Sequence, residues 1–253
     1  SALMWPHSEY SSVTEQLIPV ASANFNALLV RVEKRMKDGL QFNVNYEHSR
    51  NLGAQSQLNQ GGALWYGETS SDFPDHVAFT GIYLLPFGTG RPFLNTSSKL
   101  VNELVGGWTV SSIYSFLSGT PYGWGNVIYN GNWHDINNHP HQSTNVFNTA
   151  VFDRRTQVSP TDKTAVQPNS YNNRTFPLMA WRADVTNNFD FSLLKNFQVY
   201  ERAQIQARFD AFNAFNRTQF SAPNLSPTSS AFGTSSGQQN SSRQLQGGLH
   251  IIF

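Results

Sequence analysis

Along most of this chain the apolar residues recur at every second position, the period of an extended strand with two unlike faces, and seldom at the 3.6 of a helix. Leu28, Val30 and Val32 alternate with Leu29, Arg31 and Glu33, while Leu40, Phe42, Val44 and Tyr46 alternate with Gln41, Asn43, Asn45 and Glu47. Two strands are predicted there. Met36-Lys37-Asp38-Gly39 lies between them, and its Asp-Gly is a strong hairpin signal because glycine accepts the positive φ of a tight turn. The same alternation returns at Val77, Phe79, Gly81, Tyr83 and Leu85, and again at Trp108, Val110, Ser112, Tyr114 and Phe116. It recurs at Phe189, Phe191 and Leu193, at Ile205, Ala207, Phe209 and Ala211, and at Leu245, Gly247, Leu249, Ile251 and Phe253. A weaker eighth strand is predicted around Tyr10 to Leu17, and a short helix at Ser98 to Leu104 inside the connection Pro86 to Gly107.

Strand length bears on which solvent these faces meet. Predicted runs of about 9 to 12 residues exceed the usual five or six and match the ~9–11 that a tilted strand needs to cross a bilayer. The connections alternate as well: short turns at Met36 to Gly39 and Gln198 to Arg202, long segments at 51–72, 119–187 and 217–242. Short on the periplasmic side and long on the outer side is the pattern of an outer-membrane barrel, with Pro86 to Gly107 as the exception. The same assignment gathers Phe87, Phe93, Trp108, Phe197, Tyr200 and Phe253 at one boundary, as an aromatic girdle requires. The fold class expected is all-β: about eight meandering antiparallel transmembrane strands, part of a larger barrel or closing as a small one.

Composition narrows the partners. Lys+Arg at 17 against Asp+Glu at 16 gives a net charge of +1, and without basic runs this argues against a nucleic-acid partner. Charged residues make up 13% of the chain, well below the roughly 25% usual in soluble domains. With no cysteine, disulfide scaffolds, zinc fingers and cysteine nucleophiles are excluded. No apolar stretch approaches the ~18 residues of a membrane helix, and a mean hydropathy of -0.41 does not separate a soluble protein from a barrel that averages an apolar exterior with a polar lumen. No basic-then-apolar leader follows Ser1, so a signal peptide is expected to have been removed or to lie outside this piece.

Seven stretches, in order, resemble one family. They are Asn24 to Gly39, Ile82 to Phe93, Gly106 to Pro121, Phe147 to Phe152, Asn188 to Phe197, Arg208 to Phe220 and Gln244 to Phe253. Together they resemble the β-barrel of TonB-dependent receptors with a carboxypeptidase-regulatory-like N-terminal domain, the Oar-like group common in Acidobacteria. The resemblance implies an outer-membrane transporter that captures a substrate outside and is driven by the TonB complex of the inner membrane. Such receptors close about 22 strands around an N-terminal plug. It further implies that residues 1–253 are the C-terminal portion of the barrel in the bacterial outer membrane, contacting TonB through an N-terminal region absent here. Two other readings remain open at this point: a self-contained small barrel serving as anchor or adhesin, and a soluble all-β carbohydrate-binding module.

Individual residues carry the expected chemistry. Phe253 at the terminus, with Ile251 and Leu249 on the same face, looks like the signal read by the barrel assembly machinery. Arg31, Glu33, Glu47, Arg208 and Asp210 are expected to face the lumen, since a charge on the lipid face costs about 2–4 kcal/mol at the midplane. The loop aromatics Trp65, Tyr66, Trp124 and Trp133 are candidates for stacking on a flat extracellular substrate of unknown identity. His134, Asp135, His139 and His141 have the residue types of a zinc site but no helical spacing, and a solvated loop is the better reading. No G-x-S-x-G, H-E-x-x-H, P-loop or dinucleotide fingerprint occurs, so neither catalysis nor a cofactor is expected, and outer-membrane lipid is the main partner.

Overall fold

A computed structural model of the chain describes residues 21–57, 64–95, 98–124, 127, 132–152, 154, 181–200 and 203–252. Eight strands form one antiparallel sheet: β1 (Ser22–Lys37), β2 (Leu40–Gln57), β3 (Leu64–Glu68), β4 (Asp75–Leu84), β5 (Trp108–Leu117), β6 (Thr186–Tyr200), β7 (Ala203–Phe212) and β8 (Gln244–Ile252). Neighbours run β1-β2-β4-β5-β6-β7-β8, with β3 paired to β2 beyond the start of β4, and the sheet is open. This is a meander in which every strand of the main path pairs antiparallel with its successor, through tight turns at β1–β2 and β6–β7 and longer connections elsewhere.

Local chemistry accounts for the turns. At the β1–β2 hairpin Asp38 and Gly39 both have positive φ, 55° and 79°, the geometry whose twist matches that of the flanking strands. A Cβ on Gly39 would also stand 2.8 Å from the Leu84 carbonyl oxygen, so glycine is required twice over. One short helix, α1 (Lys99–Val105), occupies the β4–β5 connection and agrees with the expectation to within a residue. At the opposite end of the strands the backbone at Gly119 presses against the Ala183 carbonyl, an approach that leaves no room for a side chain.

The register sorts the side chains onto a mainly apolar face and a mainly polar one that also carries Leu29, Ile82 and Ile113. Val30 pairs with Tyr46, Val32 with Val44 and Lys34 with Phe42; Val44 pairs on with Phe79, Phe79 with Tyr114, Tyr114 with Phe189. Across β6 to β8 the row continues through Leu193, Phe209 and Gly247, and through Phe197, Ile205 and Ile251. The other face carries Glu33 beside Asn43, Asn43 beside Thr80, Ser192 beside Asp210 and Asp210 beside Gln246. Apolar side chains on the first face are open to the surroundings: Leu28 is 60% exposed and Leu249 79%. A sheet of this size with a broad bare apolar face is not one folded for water.

Two features depart from the sequence reading. A strand that the alternation does not reveal, β3, lies inside what reads as a loop at 51–72; the weaker strand expected around Tyr10 to Leu17 falls outside the described residues. β1, β2 and β6 run to 16, 18 and 15 residues, longer than the predicted 9 to 12, because pairing continues past the region where one face is apolar. Beyond His48 the residues of β2 other than Leu52 are polar or small, and no alternation marks the strand.

Candidate functional site: the outer cap, its rim and the polar face

The long connections at the end opposite the β1–β2 turn pack on one another into a cap with its own core. Tyr122, Trp124, Ile136, Val146, Phe147, Phe152 and Phe232 are almost wholly buried there. Trp124 stacks on Phe152 with ring centroids 5.0 Å apart and meets Phe147 edge-on at 4.9 Å, and Phe232 closes the group against Phe147 and Phe152 at 5.2 Å each. Aromatic rings contribute large apolar area in preferred tilted or offset contacts, so five of them suffice to hold loops that have little regular structure. The Arg154 guanidinium lies over the Phe232 ring at 5.6 Å. Burial pushes the Tyr122 hydroxyl well above its ordinary pKa, and the group donates to Asn138 Oδ1 at 3.0 Å.

Carboxylates stitch the cap to the strand ends. Asp184 accepts from the Val185 and Phe220 backbone N–H groups at 2.9 and 2.8 Å and meets His141 Nδ1 at 3.0 Å, joining three separate loop segments. Asp72 is fully buried, and Arg182 donates both to its carboxylate and, at 2.6 Å, to its carbonyl oxygen. The same Arg182 reaches Glu68 Oε2 at 3.0 Å and the Gly119 carbonyl at 3.2 Å, while Arg50 donates to Glu68 Oε1 at 2.7 Å and to Asp72 Oδ2 at 3.2 Å. Two arginines and two carboxylates therefore clamp β2, β3, the β3–β4 connection and both ends of the β5–β6 loop into one rim. Nothing in the local sequence announces this network, because Arg182 and Asp72 are 110 residues apart.

The polar face carries a second set of groups. Arg31, Glu33, Glu47, Arg208 and Asp210 all lie on it by register. Arg31 and Glu33 form a pair at 3.0 Å with both side chains well exposed, and Arg208 Nε reaches Asp210 Oδ1 at 2.8 Å, with Ser192 donating to the same oxygen. Leu249 and Ile251 lie on the apolar face of β8, and Phe253 falls outside the described residues.

The loop aromatics divide. Trp124 is 2% exposed and packs against Tyr122, Phe147 and Phe152, so it is a core residue of the cap and not a ligand contact, a correction forced by the density of rings around it. Trp65 and Tyr66 are exposed, but as successive residues of β3 they point to opposite sides and cannot grip one ligand between them. The side chain of Trp133 is outside what is described. Asp135 and His141, from the loop with metal-ligand residue types, are engaged with the Asn132 N–H at 2.7 Å and with Asp184. Among the described residues no three imidazoles and carboxylates are placed to hold a metal ion.

An open meander with a mainly apolar face, a mainly polar face and its longest connections gathered at one end is the wall of a membrane barrel. The family model described as outer membrane beta barrel domain matches residues 4–246. The chain belongs to the outer membrane beta barrel domain family. No curated protein and no solved structure matches it. Its place is the bacterial outer membrane, which a water-soluble module could not share. In an outer-membrane barrel the alternation is apolar-out and polar-in, so the Val32/Val44/Phe79 row meets hydrocarbon and the cap projects on the side of the long loops.

That orientation has a measurable cost. Val44 pairs with Phe79 midway along β4 on the apolar face, and its neighbour Asn45 is on the polar one. Val44→Arg is expected to destabilise the outer membrane beta barrel domain by about 2–4 kcal/mol, whereas Asn45→Arg changes little. Unfolding by urea from phospholipid vesicles measures both. Equal losses at the two positions would show that the faces are wrongly assigned.

Proposed function

We propose that this domain is the C-terminal portion of the barrel of a TonB-dependent outer-membrane receptor, contributing about eight of its strands and taking up an extracellular substrate. The observation that carries the reading is the openness of the polar face at both sides of the sheet. All but one of the β1 residues and every described residue of β8 are exposed, on both faces. A small closed barrel fills its interior with side chains and would bury one of those faces; a wide barrel leaves it accessible for a plug. The edges of β1 and β8 support the same reading, because unpaired N–H and C=O groups cost several kcal/mol each in hydrocarbon and require further strands beside them. The seven ordered stretches from Asn24 to Phe253 that resemble the Oar-like receptors point the same way.

In this reading Arg31, Glu33, Glu47, Arg208 and Asp210 face a hydrated lumen, the cap stands over its mouth, and Leu249, Ile251 and Phe253 are read by the barrel assembly machinery. The test uses the complete product of the gene, extracted from outer membranes in detergent and passed over the immobilised periplasmic domain of TonB from the same organism. Specific retention, lost on deletion of the segment preceding the barrel, is the expected result. Passage without retention would remove the receptor reading and leave an anchor or adhesin.

A further inference from the structure

Among the described residues the β4–β5 connection is the one long segment at the periplasmic end, and it turns large apolar side chains outward. Leu100 and Leu104 lie one turn apart on α1 with Val101 beside them, and their exposures are 79%, 70% and 43%. The far side of the helix is occupied: Asn102 Oδ1 accepts from the Thr89 N–H at 2.6 Å and so holds the turn Gly88–Arg91. Two side chains of the apolar sheet face fix where the helix sits. Trp108 Nε1 donates to the Leu104 carbonyl at 2.9 Å, and Lys195 donates to the Gly106 carbonyl with its ammonium over the rings of Trp108 and Phe197, at 5.6 and 5.0 Å. Trp108 and Lys195 face each other in register, on the same side as Val110 and Leu193.

The C-terminal end of α1 is thereby pinned to the lipid side of the sheet at its periplasmic rim, among a tryptophan, a phenylalanine and a lysine, the residue types that gather where acyl chains give way to headgroups. A helix of seven residues has little stability of its own in water and gains none by exposing two leucines there. We propose that α1 is an interfacial foot lying in the periplasmic leaflet of the outer membrane, with Leu100, Val101 and Leu104 seated among the upper acyl-chain carbons of its phospholipids. The occupant is phospholipid because the helix end is held by Trp108 and Lys195 on the face of the sheet that meets hydrocarbon.

Residues 1–253 contain no cysteine, so single cysteines can be placed among them once any cysteine elsewhere in the gene product is replaced by serine. The complete gene product carrying a fluorophore at Leu100→Cys, Leu104→Cys, Leu249→Cys or Arg91→Cys is folded into phosphatidylethanolamine and phosphatidylglycerol vesicles with brominated acyl chains. Quenching at 100 and 104 is expected to approach that at Leu249 on β8 and to exceed that at Arg91 several-fold. Quenching at 100 and 104 no greater than at Arg91 overturns the proposal, as does equal quenching at all four positions. Heat-modifiable gel mobility identifies folded protein, and Val101→Cys replaces any labelled helix position that fails to fold.

Discussion

Trp124→Ala is expected to loosen the outer cap by about 3–5 kcal/mol while leaving the strands beneath it folded. The ring is 2% exposed and touches Tyr122, Phe147 and Phe152, so its removal deletes the centre of the aromatic group and leaves a void that loops of irregular backbone fill only in part. The readout is hydrogen exchange in peptides covering 132–152 and 219–239. Those segments share the bonds from Val146 N–H to the Gly233 carbonyl and from Ser235 N–H to the Ser143 carbonyl, which break when the cap opens. At about 1.4 kcal/mol per factor of ten, their exchange should quicken about a hundredfold or more. Peptides from β4 to β7 should be unaffected. Trp65→Ala, an exposed ring on β3, serves as the contrast and should change the cap by less than about 0.5 kcal/mol. Unchanged exchange in the Trp124 variant would mean that the cap does not depend on its rings.

Breaking the rim clamp should cost as much and act on the strands themselves. Arg182→Met leaves the fully buried Asp72 carboxylate with only Arg50 and the Asn51 N–H as partners, and loss of one member of a buried pair typically costs about 3–5 kcal/mol. The urea midpoint of the refolded protein reports the loss. Arg182→Met combined with Asp72→Asn should recover more than half of it, because most of the penalty is the stranded charge and not the absent attraction. Arg31→Met, which removes the well-exposed partner of Glu33, is expected to cost no more than about 1 kcal/mol. If the Arg31 and Arg182 variants unfold alike, the network is ornamental to stability.

What could be read from the sequence and what could not follow from the range of the forces involved. Leu28, Val30 and Val32 reveal their strand because hydrocarbon on one side and water on the other impose a period of two on adjacent residues. Asp38-Gly39 reveals its turn because two positive φ values in succession need those residue types. Both signals are local. The extension of β2 past His48 is silent because its residues are mostly polar or small on both sides, and β3 is silent because Leu64, Trp65 and Tyr66 follow one another without alternation. Arg182 with Asp72, and Trp124 with Phe152 and Phe232, are decided by where distant loops land, and no spacing encodes that. Lys195 is a different case: a lysine in the phenylalanine row of β6 looks like a fault in the pattern until the Gly106 carbonyl and two ring faces around it are seen.

The unequal strands also shape the mouth. At about 3.3 Å per residue and a tilt near 40°, the ten residues of β4 climb about 25 Å, roughly the apolar band, whereas the eighteen of β2 climb about 45 Å. The surplus stands on the outer side as a parapet of β1, β2 and β3, while along β4 and β5 the barrier ends near the bilayer surface. The outer rim is therefore lopsided, raised on one flank into a paired ribbon and covered on the other by a dome of aromatic rings.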